Sequence, residues 1–201
     1  MSVAIVAYGL GNLGSVVNMF KRIGVESRLV SDPAEILDSE RLLLPGVGAF
    51  DTGMRMLDEL GLVDPIRAFA ATGRPLLGIC LGMQLLLDGS EEGRSAGLGL
   101  IPGRSKRFVE VAGLRVPHMG WNHIESARED ALFAELPDDS RFYFVHSYHV
   151  VPEDERHALA TTFYGGPFTS MVRDGNVMGA QFHPEKSHDF GKRILQNFAV
   201  S

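Results

Sequence analysis

The segment that most constrains this chain is residues 75–87, Pro-Leu-Leu-Gly-Ile-Cys-Leu-Gly-Met-Gln-Leu-Leu-Leu. Its first half predicts a buried strand and its second half an apolar helix. Between them, Gly78 and Gly82 flank Cys80, the only cysteine of the chain. This spacing is typical of a strand-to-helix turn with a nucleophile at its tip, because flanking glycines let the backbone reverse while the tip residue takes an unfavourable φ. The start of a helix beside the sulfur also favours the thiolate.

The first half of the chain predicts an α/β fold. Up to residue 88, strand-like and helical patterns alternate, with the strand-like runs at 3–7, 27–30, 41–44 and just before Cys80. Such alternation predicts a mainly parallel sheet with helices on both faces, and a site beyond the carboxyl ends of its strands. Asp32 and Asp51 are predicted to cap the second and third helices.

The second half has a different pattern. From residue 107, short strand-like runs follow one another without helices, for example at 114–116. They predict antiparallel strands added to the same sheet, with Asp174-Gly175 as a hairpin turn and a last helix over 187–198. A length of 201 residues fits one domain, which we expect to span residues 1–201.

Composition excludes several classes of function. One cysteine allows no internal disulfide, which predicts a reducing, cytoplasmic setting. The net charge is −6 without a cluster of Lys and Arg, which argues against nucleic acid or an anionic membrane as a partner. The first basic residue is Lys21, so the apolar start lacks the charged flank of a signal peptide. The longest uncharged apolar run, over 76–87, is too short to span a bilayer.

If Cys80 is a nucleophile rather than a small buried core residue, it needs a base and a group that orients the base. His183-Pro184-Glu185 supplies both. His183 is predicted at the end of a strand, and Pro184 imposes an extended turn that brings Glu185 back to the imidazole. The chain has seven histidines, and His183 stands out by its strand-end position and its neighbouring carboxylate.

The remaining requirement of acyl chemistry is an oxyanion hole. The loop Pro45-Gly46-Val47-Gly48, after the third strand, offers a backbone N–H beside that of Leu81, although it also fits an ordinary turn. A zinc deaminase would need further cysteines. We therefore expect no metal and no cofactor.

One motif favours a different function. Gly9, Gly11 and Gly14 satisfy Gly-x-Gly-x-x-Gly between a strand and a helix, and Asp32 follows near the ribose-binding distance. A dinucleotide-binding protein is therefore the alternative from another class. It leaves Cys80 and His183 unexplained and needs a substrate domain for which 201 residues hardly suffice.

Gly-Ile-Cys-Leu-Gly-Met-Gln at 78–84 and Gln-Phe-His-Pro-Glu-Lys-Ser at 181–187 resemble the motifs of the class I, triad-type glutamine amidotransferases. Further motifs, at 8–13, 45–50, 117–122 and 144–148, resemble the glutaminase subunits of imidazole glycerol phosphate synthases, and the resemblance runs from residue 3 to about 198. The resemblance implies a flavodoxin-like core and glutamine hydrolysis in histidine biosynthesis. The alternatives within the family are the glutaminase subunit of another synthase and a scaffold without activity.

The resemblance also implies roles for individual residues. Cys80 attacks the glutamine side-chain amide, His183 transfers the proton and Glu185 orients His183. The residues implied to hold glutamine are Gly48, Gln84, Ser147 and Tyr148, and those of the oxyanion hole are Val47, Gly48 and Leu81. Ammonia would pass to a (βα)8-barrel cyclase subunit. The positions implied to face that partner are Asn12, Met119, Trp121, Tyr143 and Lys186.

Overall fold

The structure, a computed structural model, describes residues 2–109 and 113–201. The strands are β1 (Ser2–Val6), β2 (Glu26–Val30), β3 (Leu42–Leu44), β4 (Leu76–Ile79), β5 (Gly89–Ser90), β6 (Gly103–Arg107), β7 (His118–His123), β8 (Glu125–Ser126), β9 (Arg141–His146), β10 (Tyr148–Pro152), β11 (Ala158–Phe163), β12 (Pro167–Asp174) and β13 (Val177–Ala180). The helices are α1 (Leu13–Arg22), α2 (Pro33–Leu37), α3 (Phe50–Glu59), α4 (Val63–Ala71), α5 (Leu81–Leu85) and α6 (His188–Val200). Short 3₁₀ segments cover Ala131–Phe133, Glu155–His157 and Pro184–Lys186. Over these two described ranges, no helix is long and apolar enough to cross a membrane.

The main sheet has a parallel half and an antiparallel half. Its order is β2-β1-β3-β4-β13-β12-β10-β6-β5, with β11 and β8 attached beside β12. The first five strands of this order run parallel, and β12, β10 and β6 are added antiparallel. This arrangement confirms the predicted α/β class, a mostly parallel sheet with added antiparallel strands.

The pairing of β4 with β13 positions the site. Both strands are buried along their whole length, and Ile79 lies opposite Ala180 at their ends. Because parallel neighbours end at the same edge of a sheet, the residues after β4 and those after β13 must meet there. Cys80 follows the first strand and Gln181 to His183 follow the second, although 101 residues of sequence separate Cys80 from Gln181.

Two expectations about the second half were wrong. Residues 114–116 form no strand, and β7 begins instead at His118, after Pro117, which has no N–H to give to a ladder. β7 pairs with β9 in a separate two-stranded sheet rather than joining the main one. The run predicted from residue 107 extends into residues outside the described ranges, and the strand actually found there, Gly103–Arg107, precedes it.

The predicted caps and turn have mixed outcomes. Asp32 caps α2, since its carboxylate accepts a hydrogen bond from the N–H of Ala34 at 2.8 Å. Asp51 does not cap α3. Its carboxylate instead accepts the N–H groups of Arg94 and Ser95 and so fastens that loop. The hairpin turn lies at residues 175–176, one residue later than predicted, because Asp174 still pairs in the ladder.

Candidate active site

The turn at Cys80 has the predicted sharp geometry. Cys80 has φ 54° and ψ −111°, a conformation that costs energy for a residue with a side chain. A Cβ on Gly78 would lie 2.6 Å from the carbonyl oxygen of Gly82, and a Cβ on Gly82 would lie 1.9 Å from that of Leu44. Neither position can hold a side chain without moving backbone, so the two glycines are required by the close approach of α5 to the sheet.

His183 and Glu185 form a buried pair. His183 Nδ1 lies 2.8 Å from Glu185 Oε1, and their side chains are only 2% and 3% exposed. Because a carboxylate accepts, Nδ1 of His183 donates. The other ring nitrogen, Nε2, is buried without a hydrogen-bond partner among the described residues. A buried ring nitrogen without a partner, on a ring fixed by a carboxylate, is the arrangement of a group that can exchange a proton with a substrate.

The surroundings set the charge of His183. Burial lowers the pKa of the ring, but Cys80 and Glu185, by side-chain contact and by their negative charge, raise it to about 10. The imidazolium is therefore the favoured form at neutral pH. An imidazolium carries hydrogen on Nε2 as well as on Nδ1, so the ring can give a proton to a leaving group.

A cavity of about 340 Å³ brings most of the predicted residues together. The predicted residues that line it are Val47, Gly48, Cys80, Leu81, Gln84, Ser147, Tyr148, His183 and Lys186. Glu185 is absent from the lining because it lies on the Nδ1 side of His183. The predicted catalytic, oxyanion and glutamine-binding groups thus border one space, and their roles stay predictions.

Gln84 uses its amide nitrogen inside the protein. Nε2 donates to the carbonyl oxygen of Tyr148 and to Oε1 of Gln181, each at 3.1 Å. Only the amide oxygen of Gln84 is left to meet a ligand, so it can accept a hydrogen bond but not donate one. Gln181 in turn places its Nε2 3.7 Å from Cys80 Sγ.

Three further residues of the site, two on the cavity wall and one beside the Cys80 sulfur, were not predicted from the sequence. Gln181 has a signal, because residues two apart on an extended segment face the same way, which places Gln181 on the side of His183. His146 also has one, since it follows Phe142 and Phe144 at alternate positions of β9, all buried. Glu92 has no such signal in the sequence. Its carboxylate accepts the N–H of Phe50 at 2.9 Å, and Phe50 is distant in sequence.

The loop after β3 is seated against the turn at Cys80. A Cβ on Gly46 would lie 2.6 Å from Tyr8 Oη and 2.9 Å from the backbone nitrogen of Gly82. The buried Tyr8 hydroxyl donates to the carbonyl oxygen of Pro45 at 2.8 Å. Gly48 has φ +107°, where L side chains are strained, although the space beside it is open. The loop thus lies beside Leu81, and its role in an oxyanion hole stays a prediction.

The residues predicted to face a partner form a strip beside the cavity, with one exception. Met119 and Trp121 are 62% and 45% exposed on β7. Tyr143 lies opposite Trp121 on β9, and Lys186 Nζ lies 5.8 Å from the centre of the Tyr143 ring. Asn12 is the exception, because its place is at the start of α1, where its side chain accepts the N–H of Ser15.

The glycine motif at 9–14 does not resemble an open phosphate loop. A Cβ on Gly9 would lie 2.3 Å from Cε of Met56, so the loop is packed against α3. Asp32, the residue expected near a ribose, caps α2, since its carboxylate accepts the N–H of Ala34. These contacts give the dinucleotide alternative no support.

Comparison with known proteins decides the family. The family model described as glutamine amidotransferase class-I matches residues 4–201. The chain belongs to the class I glutamine amidotransferase family. The predicted resemblance is thereby confirmed. Among the relatives, it is 48% identical over 197 residues to imidazole glycerol phosphate synthase subunit HisH 2 of Methanococcus maripaludis, with 98% of each chain covered.

Other relatives agree. Subunit HisH of Sulfurimonas denitrificans is 49% identical over 202 residues, which cover 98% of this chain and 96% of the relative. Among solved structures, one described as a glutamine amidotransferase has a TM-score of 0.74 and 24% identity, covering 99% of both chains. The structure of PurLQS from Thermotoga maritima has a TM-score of 0.75 and 21% identity, covering 99% of this chain and 97% of that one. At such identities these two structures support the fold alone.

Proposed function

We propose that this chain is the glutaminase subunit of an imidazole glycerol phosphate synthase in histidine biosynthesis. The observation that carries the proposal is the meeting of Cys80 and His183 in one cavity, at the ends of adjacent parallel strands, with Glu185 on the far side of the ring. Relatives that match nearly the whole chain bear the name of this synthase subunit. We propose a single amidotransferase domain over 1–201, working in the cytoplasm.

Hydrolysis proceeds through a covalent intermediate. The Cys80 sulfur attacks the side-chain carbonyl of glutamine, and His183 Nε2 gives a proton to the leaving nitrogen, so that ammonia departs and a glutamyl thioester remains. Water then attacks the thioester and loses a proton to His183, and the carbon–sulfur bond breaks. This step restores the His183 imidazolium and the Cys80 thiolate, and the product acid loses its proton to solvent and leaves as glutamate. Glu185 holds the ring by its bond to Nδ1 and stabilises the imidazolium, while it transfers no proton itself.

The walls of the cavity supply the remaining functions. The loop at Val47 and Gly48, with Leu81, stabilises negative charge on the carbonyl oxygen of the tetrahedral intermediate. Gln84 accepts hydrogen bonds from glutamine through its free amide oxygen. Ser147 and Tyr148 border the same space and complete the binding site.

The ammonia has a second subunit as its destination. We propose a (βα)8-barrel cyclase that docks on the face formed by Met119, Trp121, Tyr143 and Lys186, with Asn12 at its margin. Lys186 both lines the cavity and lies over Tyr143. The route for ammonia would therefore leave beside these two side chains.

The test is reconstitution with the barrel subunit from the same source. The mixture should convert the ribonucleotide substrate with glutamine as nitrogen donor, and Cys80→Ser should abolish that reaction while added ammonium still supports it. Turnover of glutamine by Cys80→Ser above a few per cent of wild type would refute the nucleophile. Failure of the wild-type mixture to use glutamine would refute the proposed function and leave a scaffold or the subunit of another synthase.

A further inference from the structure

A chain of polar groups begins on β7, on the face opposite its exposed side chains. The amide of Asn122 has a fixed orientation, because its nitrogen donates to the carbonyl oxygen of Phe163 at 3.0 Å and its oxygen accepts the N–H of His123 at 2.8 Å. The same nitrogen lies 3.3 Å from Nε2 of His118. Asn122 is therefore the donor in that contact.

Two buried histidines continue the chain. His118 Nδ1 lies 3.1 Å from His146 Nε2, and His146 Nδ1 lies 2.8 Å from the carbonyl oxygen of Tyr148. A carbonyl only accepts, so Nδ1 of His146 carries hydrogen. In a neutral ring Nε2 then accepts, which requires hydrogen on Nδ1 of His118 and leaves Nε2 of His118 to accept from Asn122. Each contact thus has one donor and one acceptor.

The charge state that this pattern needs is the one that burial imposes. Burial lowers the pKa of His118 to about 4. At His146 the hydrogen bond to Tyr148 raises the pKa, but burial has the larger effect and lowers the pKa to about 3. Both rings are neutral at pH 7, as two rings that pass a hydrogen bond in one direction must be.

The chain ends at the catalytic sulfur. The Tyr148 carbonyl that accepts from His146 also accepts from Gln84, which donates to Gln181, whose Nε2 lies 3.7 Å from Cys80 Sγ. We call the set Asn122, His118, His146, the Tyr148 carbonyl, Gln84 and Gln181 the polar relay. Every amide and ring orientation in it is fixed by a neighbour that can only accept or only donate.

We propose that His118 and His146 are positioning residues for glutamine hydrolysis, holding through the polar relay both the cavity wall at Tyr148 and Gln84 and the amide that meets the Cys80 sulfur. The proposal rests on the proposed function of the cavity. It also joins that cavity to β7, where Met119 and Trp121 are exposed while His118 is buried on the alternate face. A shift of β7 on docking would thus move the first member of the relay.

Packing alone does not account for these two rings. His118 stacks on Tyr164 and on Phe144 with ring centres 3.9 and 4.8 Å apart, and apolar rings would fill the same space. Burying imidazoles there costs the hydration of four ring nitrogens, which only hydrogen bonds offset. Here all four have partners, whereas His149, packed against Phe108 and Phe168 nearby, leaves its Nδ1 without a partner among the described residues.

The test uses the reconstituted complex and compares His146→Leu with His146→Asn. Leucine removes the donor to Tyr148, and we expect kcat/KM for glutamine to fall about 10- to 100-fold, with changes in both kcat and KM. Asparagine places an N–H where the ring has Nδ1–H, and should restore most of the loss. His149→Leu is the matched control, a half-buried histidine of the same aromatic cluster outside the relay. Ammonium-dependent synthesis should be unchanged in all variants.

Two results would overturn the proposal: His146→Leu hydrolysing glutamine like wild type, or His149→Leu losing as much as His146→Leu. A wild-type complex without glutaminase activity would instead refute the proposed function.

Nitrogen NMR of the wild-type complex, with labelled histidine, tests the relay without any mutation that might prevent folding. Neutral rings with hydrogen on Nδ1 at both His118 and His146 at pH 7 support it. Hydrogen on Nε2 of either ring would break the relay and refute it.

Discussion

Two histidines line the same cavity, and their environments shift their pKa values in opposite directions. His183 meets Cys80 and Glu185, which raise its pKa to about 10 against the effect of burial. His146 meets a carbonyl, the ring of Phe168 and another neutral histidine, and burial lowers its pKa to about 3. The same side chain is thus a cation on one wall and a neutral hydrogen-bond link on the other.

The difference lies in which nitrogen is left over. On His183 one nitrogen is held by a carboxylate and the other is buried without a partner among the described residues. On His146 both nitrogens have partners. A ring with one free buried nitrogen can exchange a proton with a substrate, whereas a ring with both satisfied can only transmit position. The hydrogen bonds of the two rings therefore fit the proposed catalytic role of His183 and the proposed positioning role of His146.

The largest expected effect is that of removing the proton-transfer ring. His183→Ala should lower kcat for glutamine hydrolysis about 10⁴-fold, because both proton transfers lose their carrier. This loss should exceed that of His146→Leu by two orders of magnitude or more. The measurement is steady-state glutaminase activity of the complex. Equal losses in the two variants would erase the distinction between the two histidines.

The next effect concerns Glu185, which with Cys80 raises the pKa of His183. Glu185→Gln keeps a hydrogen-bond acceptor near Nδ1 but removes the charge, so the pKa of His183 should fall. We expect a loss of about 10²-fold in kcat, milder than the loss of the ring itself, since members of a triad have unequal single costs. The pH profile of kcat/KM is the decisive readout. A profile identical to that of wild type would show that Glu185 does not control the charge of His183.

More of the site than of the strand pairing could be predicted from the sequence alone. The turn formed by Gly78, Cys80 and Gly82 could be predicted because its backbone conformation restricts each position to few residue types. His183 was predicted from a strand that would end just before it, although β13 already ends at Ala180. In the parallel half of the sheet, β3 and β4 could also be predicted, because they are continuous apolar runs.

The second half was less readable because its signals are weak or distant. β6, Gly-Arg-Ser-Lys-Arg, turns a glycine and Ser105 inward instead of apolar side chains, so its alternation is hidden. The polar relay joins Asn122, His146 and Cys80 across strands from separate sheets. No local pattern encodes that meeting, since it depends on how β9 lies against the segment after β13, where the N–H of His183 donates to the carbonyl oxygen of Tyr143.

A third effect appears as stability against pH. His118 and His146 have pKa values of about 4 and 3 in the folded chain against 6.5 unfolded. Below pH 6.5 the unfolded chain therefore binds more protons, and the free energy of unfolding falls as the pH falls towards 4 and 3. At pH 5 each ring should cost about 2 kcal/mol relative to pH 7.

His183 has the opposite sign. Its pKa is raised, so its contribution to the free energy of unfolding is present below pH 6.5 and is lost as the pH rises towards 10.

Denaturant unfolding between pH 5 and 8 tests the effect of the neutral rings, and His146→Asn should flatten the acid side of the stability curve. His123→Asn, at an exposed position of β7, is the control and should leave the curve unchanged. An unaltered acid side in His146→Asn would mean that the ring is not held neutral by burial.

The smallest expected effect is that of removing the Tyr8 hydroxyl, a neutral hydrogen-bond donor beside the turn at Cys80. Burial, and secondarily the charge of Cys80, raise the pKa of Tyr8, so its hydroxyl stays protonated and donates to the Pro45 carbonyl. Tyr8→Phe removes that bond and should lower the free energy of unfolding by about 1 kcal/mol. Because the hydroxyl has the same charge in the folded and unfolded chain from pH 5 to 8, this loss should not vary with pH, in contrast to the losses at the histidines. Tyr164→Phe is the matched control, since its bond to the carbonyl of Arg115 lies at the surface and should contribute less. A Tyr8→Phe loss that changes steeply over this range would show that Tyr8 acts through the charge of Cys80 and His183 rather than as a fixed support of the loop at 45–48.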